Sequence, residues 1–229
     1  QRFAHLPIPT AAGYVFAGWY PTAEAAAAID TASRINGADL VVCDSRREVT
    51  LHAGWMTRDA ALAAPAKVPI LMYHQFTDNP EGEPGWLKLN YYGIQDWRSD
   101  MAYSRDGGFY LPTWDELDAF VDGTLWLPPR SVIITDDDAD STWLTMAVPI
   151  VTEDQLLTTS FVITSTRQEG TPSVWVQQRS HTHDMHTAGD NGKGRMVNWT
   201  AEHIAADLEA SAGILGAKEV LAYPYGHYD

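Results

Sequence analysis

The run Ser131-Val132-Ile133-Ile134-Thr135 stops on three consecutive aspartates, Asp136, Asp137 and Asp138. A short β-branched apolar run of this kind predicts a buried strand. Side chains just past the end of such a strand in an α/β fold project into a ligand crevice. A second segment, Ser180-His181-Thr182-His183-Asp184-Met185-His186, carries three histidines within six residues. Imidazole and carboxylate together suit a divalent metal of the zinc kind, and three protein ligands leave one position open for water. Taken singly, each segment has a plainer alternative. The histidines fit a solvated polar loop, and the aspartates fit a turn with an N-cap.

The rest of the pattern is α/β. Strands are predicted at 68–73, 131–135, 159–164, 174–178 and 219–222. Thr113-Trp114-Asp115-Glu116 fits a capping box opening a helix over 115–121. Thr200 is placed to cap a helix over 201–215, where Ile204, Leu208 and Ala212 recur at helical spacing. Strands alternating with helices predict a parallel, barrel-like sheet.

At 229 residues, one large domain or a small one plus a medium one fits. The net charge is −15, with 30 acidic against 15 basic residues, which disfavours nucleic acid as a partner. No run is long and apolar enough to form a membrane span. A single cysteine, Cys43, rules out an intrachain disulfide and a Cys-rich zinc site. It lies in the apolar run Leu40-Val41-Val42-Cys43 and is expected to be a buried small hydrophobe. The chain opens at Gln1 without a signal-like segment, which reads as a processed or engineered start.

The two segments together resemble the polysaccharide deacetylases of carbohydrate esterase family four, which share the NodB homology domain. Thr135-Asp136-Asp137-Asp138-Ala139 stands where that family has Thr-Phe-Asp-Asp-Gly. His181-Thr182, then His186 with four residues between the histidines, is similar to the branch acting on poly-N-acetylglucosamine; the commoner spacing has three. Val68-Pro69-Ile70-Leu71-Met72-Tyr73-His74 resembles the strand that opens the circularly permuted branch. Leu127-Pro128-Pro129-Arg130-Ser131-Val132 looks like the usual lead into the Asp motif. Leu221-Ala222-Tyr223-Pro224-Tyr225-Gly226 looks like the third motif.

The resemblance covers about residues 68–229. It implies a distorted (β/α) barrel and a metal-dependent N-deacetylase acting on N-acetylglucosamine polymers such as poly-N-acetylglucosamine or peptidoglycan. It makes Asp138, His181 and His186 the ligands of one divalent ion, zinc with cobalt or nickel as alternatives. Asp137 becomes the base, His74 the general acid, the Tyr225 backbone N–H an oxyanion donor, and His183 a bystander. An extracellular or cell-surface location is implied too, as are further strands and a helix beyond Asp229. Asp136 and Ala139 depart from the motif. The extra carboxylate allows a shifted register, with Asp136 as base and Asp137 as ligand; the retained Thr135 favours the unshifted one. Two other classes stay open: a catalytically silent glycan-binding or adhesion protein on the same scaffold, and a metal phosphoesterase.

The N-terminal part reads as a different object. Gly13-Tyr14-Val15-Phe16-Ala17-Gly18-Trp19-Tyr20 and Val49-Thr50-Leu51-His52-Ala53-Gly54-Trp55 are similar to the start and end of an internalin-type B repeat, a small β-grasp-like surface module. Tyr14 and Phe16 alternate as a half-buried strand should, with an ordinary aromatic hairpin as the alternative. Trp19 and Trp55 are expected in its core, and Trp143 fits either a sugar cleft or the core. The division expected is a self-contained module over 1–56, a linker over 57–67 that is either a short helix or a flexible join, and a deacetylase domain over 68–229.

Overall fold

The structure is a computed structural model that describes residue 3 and residues 5–167 and 173–228. Gln1 and Asp229, with the expectations attached to them, lie outside the described residues. In chain order the elements are β1 (Tyr14–Tyr20), α1 (Ala23–Ala28), β2 (His52–Thr57), α2 (Arg58–Ala63), β3 (Ile70–Tyr73), β4 (Gln75–Thr77), β5 (Tyr91–Gly93), α3 (Ile94–Asp106), α4 (Trp114–Val121), β6 (Ile133–Asp138), α5 (Val148–Glu153), β7 (Thr158–Val162), β8 (Val176–Ser180) and α6 (Ala201–Leu215). The chain divides into two compact units. One is Gln1–Ile70 with Asp106–Ile133, and the other is Leu71–Arg105 with Ile134–Asp229. The boundary read from the sequence at 57–67 falls inside the first unit.

In the first unit β1 pairs antiparallel with β2, with a slip in register between Phe16 and Gly18. The other edge of β1 is also used. Phe16 N–H donates to Thr124 O (3.1 Å), and Trp126 N–H donates to Phe16 O (2.7 Å). With both edges bonded, Val15, Phe16 and Ala17 are all buried, and the simple alternation expected of a half-buried strand is absent. Phe16 packs with Tyr110, Leu125 and Leu127. The half-buried Trp19 and Trp55 rings meet Phe16 edge-on at 5.4 and 5.5 Å, a favoured aromatic geometry.

Arg34 ties this unit together. Its side chain is fully buried, and it donates to Trp126 O (2.9 Å) and Glu116 Oε1 (3.0 Å). Tyr110 OH donates to the same Glu116 oxygen at 2.6 Å. Glu116 is held in turn by the capping box with Thr113 that opens α4. Gly18 makes room for this arrangement. A Cβ there would lie 2.5 Å from Arg34 Nε, and its φ is +115°.

Cys43 corrects an expectation: it is exposed, as are Leu40 and Val42. Among the described residues, 41–43 belong to no strand. The apolar run leads into a turn whose N–H groups at Arg46 and Glu48 bond to Asp44 Oδ1 (2.8 and 2.9 Å). Residues 58–63, expected in the linker, form α2 behind a Thr57 cap.

The second unit is built on a sheet of order β3-β6-β7-β8. β6, β7 and β8 run parallel, and a parallel bridge from Ser180 to Leu221 adds a further position. That bridge is all that forms of the strand predicted at 219–222. The sheet does not close into a barrel among the described residues. β6 runs three residues further than predicted, so the aspartates lie within the strand, paired with Ser160, Phe161 and Val162 of β7. In the same unit Tyr73, Phe76, Trp97 and Trp143 form an aromatic cluster with centroids 4.8–6.1 Å apart. Trp143 is 0% exposed, which makes it core and not cleft wall.

Removing Glu116 would leave a buried guanidinium without its charge partner. Glu116→Ala is therefore expected to destabilise the protein by about 3–5 kcal/mol in urea unfolding. A fragment of residues 1–56, lacking Glu116 and Trp126, is expected to show no cooperative thermal transition. A sharp transition in that fragment would show that β1 and β2 need neither partner.

Candidate active site and metal centre

Three strand ends supply the site. β6 ends on Asp138, β8 ends one residue before His181, and β3 ends one residue before His74. Thr135 Oγ1 donates to Leu71 O (3.0 Å), which ties β6 to β3. His181 N–H donates to Val162 O (3.0 Å), which ties the start of the histidine segment to β7.

These ends bring Asp138, His181 and His186 together, with one ligand atom from each lying within 4.8 Å of the others. Asp138 Oδ1 is 3.4 Å from His181 Nε2 and 3.2 Å from His186 Nε2. Although these contacts are close, the buried Oδ1 makes no well-aligned hydrogen bond. His181 Nδ1 is 3.0 Å from Ala222 O, so that nitrogen donates and Nε2 of the neutral ring presents its lone pair to Asp138. A buried carboxylate oxygen facing such nitrogens is an arrangement that a cation satisfies, and one carboxylate with two imidazoles is a suitable donor set. Without a cation, a proton does this work. Burial acts to lower the pKa of His181, but the adjoining Asp138 carboxylate and the charge of Asp137 outweigh it and hold the pKa above the ordinary value. For Asp138, burial acts upward and is outweighed by the adjoining His181 and the charge of His186, leaving the carboxyl below its usual range. At His186 burial dominates, and the pKa falls.

Asp137 is 7% exposed. Burial pushes its carboxyl up, while His181 and His74 pull it back. His74 is half-buried and within charge reach of Asp137, Asp138 and His186. The Tyr225 ring lies over His186, with centroids 4.6 Å apart. Its backbone has φ 59°, and the turn's own bonds use the N–H groups of Gly226 and His227. His183 stays out of the cluster, its Nδ1 3.0 Å from Thr164 Oγ1.

Asp136 behaves differently from its neighbours. It is 0% exposed, and neither carboxyl oxygen has a hydrogen-bond partner among the described residues. Burial, then the charges of Asp137, Asp140 and Asp138, raises its pKa well above the carboxylate range. Ala139 has φ 53°, a left-handed backbone that glycine adopts without strain.

Asp207 of α6 escaped sequence reasoning. It is 6% exposed, and its two oxygens accept the N–H groups of His183 and Asp184, both at 2.7 Å. One turn on, Ser211 Oγ meets Ser180 Oγ at 2.8 Å, and Ser180 Oγ accepts from Thr182 N–H. The helix thus presents a polar stripe to the histidine segment, with half-buried Ile204, Leu208 and Ala212 beside it. The available signal was an acidic residue and a serine four apart within an otherwise apolar pattern.

No protein-family model matches the chain. A poly-beta-1,6-N-acetyl-D-glucosamine N-deacetylase from Staphylococcus aureus is 29% identical over 121 aligned positions, which cover 43% of this chain and 41% of that protein. The chain therefore spans about two fifths of the length of this curated relative. Among solved structures, IcaB from Ammonifex degensii superposes with a TM-score of 0.57 at 21% identity, covering 72% of this chain and 77% of that one. The Streptococcus pyogenes deacetylase PplD, in complex with acetate, gives 0.55 at 20% identity, with 72% and 76% covered. A polysaccharide deacetylase from Bacillus cereus gives 0.56 at 19% identity, with 81% and 58% covered. The fold is that of the polysaccharide deacetylases. Within this deacetylase fold, α/β with a parallel sheet, the cluster of Asp138, His181 and His186 sits where strands end.

Three outcomes are expected. His181→Ala and His186→Ala should each bring bound metal far below one equivalent by elemental analysis, while His183→Ala retains it. Asp207→Asn should weaken metal affinity about 10- to 100-fold, because one amide end turns a donor toward a backbone N–H. Asp136→Asn should raise the Tm of chelator-treated protein at about pH 8 and change it less near pH 4. A carboxyl with a raised folded-state pKa binds its proton more tightly when folded, so it costs stability as pH rises above the unfolded value. Equal shifts at both pH values would contradict this.

Proposed function

We propose that the chain is a metal-dependent amide hydrolase that removes acetyl groups from N-acetylglucosamine units of a polysaccharide. The observation that carries this reading is the pair of adjacent carboxylates on β6. Asp138 faces two imidazoles, while the mostly buried Asp137 lies within charge reach of His181 and His74. Asp138, His181 and His186 would hold one divalent ion, zinc with cobalt or nickel as alternatives. Such an ion would supply Lewis-acid polarisation of the acetamide carbonyl.

The chain's own residues do the remaining work. Asp137 takes a proton from the attacking water, and a carboxyl raised by burial is a better base near neutral pH than an exposed one. The Tyr225 N–H, which the turn's own bonds leave unused, donates to the oxyanion as charge develops. His74 gives a proton to the nitrogen as the C–N bond breaks. The products are acetate and a free amino sugar. These roles place Asp137 as base and Asp138 as ligand, and leave Asp136 outside the chemistry.

The name of the Staphylococcus aureus relative supports poly-β-1,6-N-acetylglucosamine over peptidoglycan as the substrate class. Such a polymer lies outside the cell, which supports a secreted or cell-surface setting. No helix among the described residues is long and apolar enough to cross a membrane.

Acetate release from N-acetylglucosamine oligomers by metal-loaded protein is the test. Asp137→Asn should keep the metal and lose turnover by about a hundredfold or more. Asp136→Asn should retain most of it. Equal losses in both, with metal lost from Asp137→Asn, would favour the shifted register.

A further inference from the structure

The turn that carries the Tyr225 N–H has a left-handed residue at its centre: Tyr225 has φ 59° and ψ 10°. A non-glycine residue stays in that conformation only where its surroundings hold it. The entry to the turn is fixed. Ala222 N–H donates to Ser180 O at 3.1 Å, and Ala222 O accepts from His181 Nδ1 at 3.0 Å. Within the turn, Gly226 N–H donates to Tyr223 O (2.9 Å) and His227 N–H to Pro224 O (3.1 Å). These two bonds close the turn on itself and do not fix where it leads.

The exit is held by the His227 side chain. Gly194 is buried, and its N–H donates to His227 Nδ1 at 3.0 Å. A buried backbone N–H requires an acceptor, and a neutral imidazole with its proton on Nε2 supplies one. Gly194 is itself anchored. Its O accepts from the Asn198 amide at 3.0 Å, and it forms an antiparallel bridge with Ala188. The next residue, Arg195, donates from Nη1 to Asp184 O at 2.8 Å, inside the histidine segment. A bonded path thus runs from that segment through Arg195, Gly194 and His227 to the far end of the turn. The Tyr225 ring over His186, at 4.6 Å, closes the loop. The backbone of Gly194, φ −60° and ψ 159°, is one that any residue adopts, so its glycine is not there for conformational freedom. A Cβ would lie 3.0 Å from the Tyr225 ring, and its absence lets that ring settle.

We propose that His227 is a positioning residue for the oxyanion donor, a role that rests on the deacetylase reading above and deepens it. By accepting the Gly194 N–H, its Nδ1 pins the exit of the turn while β8 pins the entry. The left-handed Tyr225 is then held with its N–H in the orientation that meets the developing oxyanion. His227 acts through the turn and takes no part in proton transfer. Its effect falls on the transition state, so it governs kcat and leaves substrate binding alone.

The test measures kcat, KM and bound zinc for acetate release from an N-acetylglucosamine oligomer. His227→Ala should lower kcat by about 10- to 100-fold, the scale of a misplaced oxyanion donor, with KM and one equivalent of zinc retained. His227→Asn, whose side-chain oxygen stands where Nδ1 did, should recover most of that loss. Gly194→Ala disturbs the same turn without touching His227, by pressing on the Tyr225 ring, and should also lower kcat at unchanged KM. The double variant His227→Ala with Gly194→Ala should lose less than the product of the two single losses, because both act on one turn. Losses that multiply, loss of zinc from His227→Ala, or a fall that His227→Asn does not relieve would overturn the positioning role. So would wild-type kcat in His227→Ala, and with acetate still released the deacetylase reading would stand. No acetate release by zinc-loaded wild-type protein would overturn that reading itself.

Discussion

The site depends on one contact: a buried carboxylate oxygen of Asp138 set against the Nε2 atoms of two histidines, at 3.4 and 3.2 Å. Three electron-rich atoms come together there, and they repel unless a proton or a cation lies among them. The surrounding structure holds them in place. Ala222 O fixes one imidazole, the Tyr225 ring covers the other, and Asp207 holds the backbone between them. An assembly that needs a positive centre to be stable is a suitable host for a divalent ion.

Strain marks the same place. Seven non-glycine residues among those described have left-handed backbones, and Asp138, Ala139, Thr182 and Tyr225 are four of them. All four lie in the segments that carry the site. Such conformations cost about 1–3 kcal/mol each and persist only where the surroundings hold them. Here the holding comes from parallel pairing along β6, β7 and β8 and from the Ser180–Leu221 bridge. Regular sheet structure thus supports an irregular rim that aims side chains at one point.

Local signals made much of this legible in the sequence. The Thr113–Glu116 capping box and the Thr200 cap are short-range features, and the structure has both. The apolar run before the aspartates marked β6, but the strand ends three residues further on. Pairing with β7 carries it through polar residues that propensity alone would end. β4, β5 and α3 were not anticipated, because their packing is aromatic and tertiary in origin, centred on Phe76 and Trp97. Cys43 was misread because an apolar run needs a partner surface to be buried, and among the described residues Leu40, Val42 and Cys43 are left exposed. Asp207 was invisible for a related reason, since its importance lies in backbone N–H groups more than twenty residues away.

X-ray absorption at the metal edge of protein loaded with one equivalent of zinc or cobalt tests the central claim most directly. The expected first shell contains two imidazole nitrogens at about 2.0–2.1 Å with carboxylate and solvent oxygen, and His186→Ala removes one imidazole from it. A shell with no imidazole, or one unchanged in His181→Ala and His186→Ala alike, would place the metal elsewhere and contradict the account.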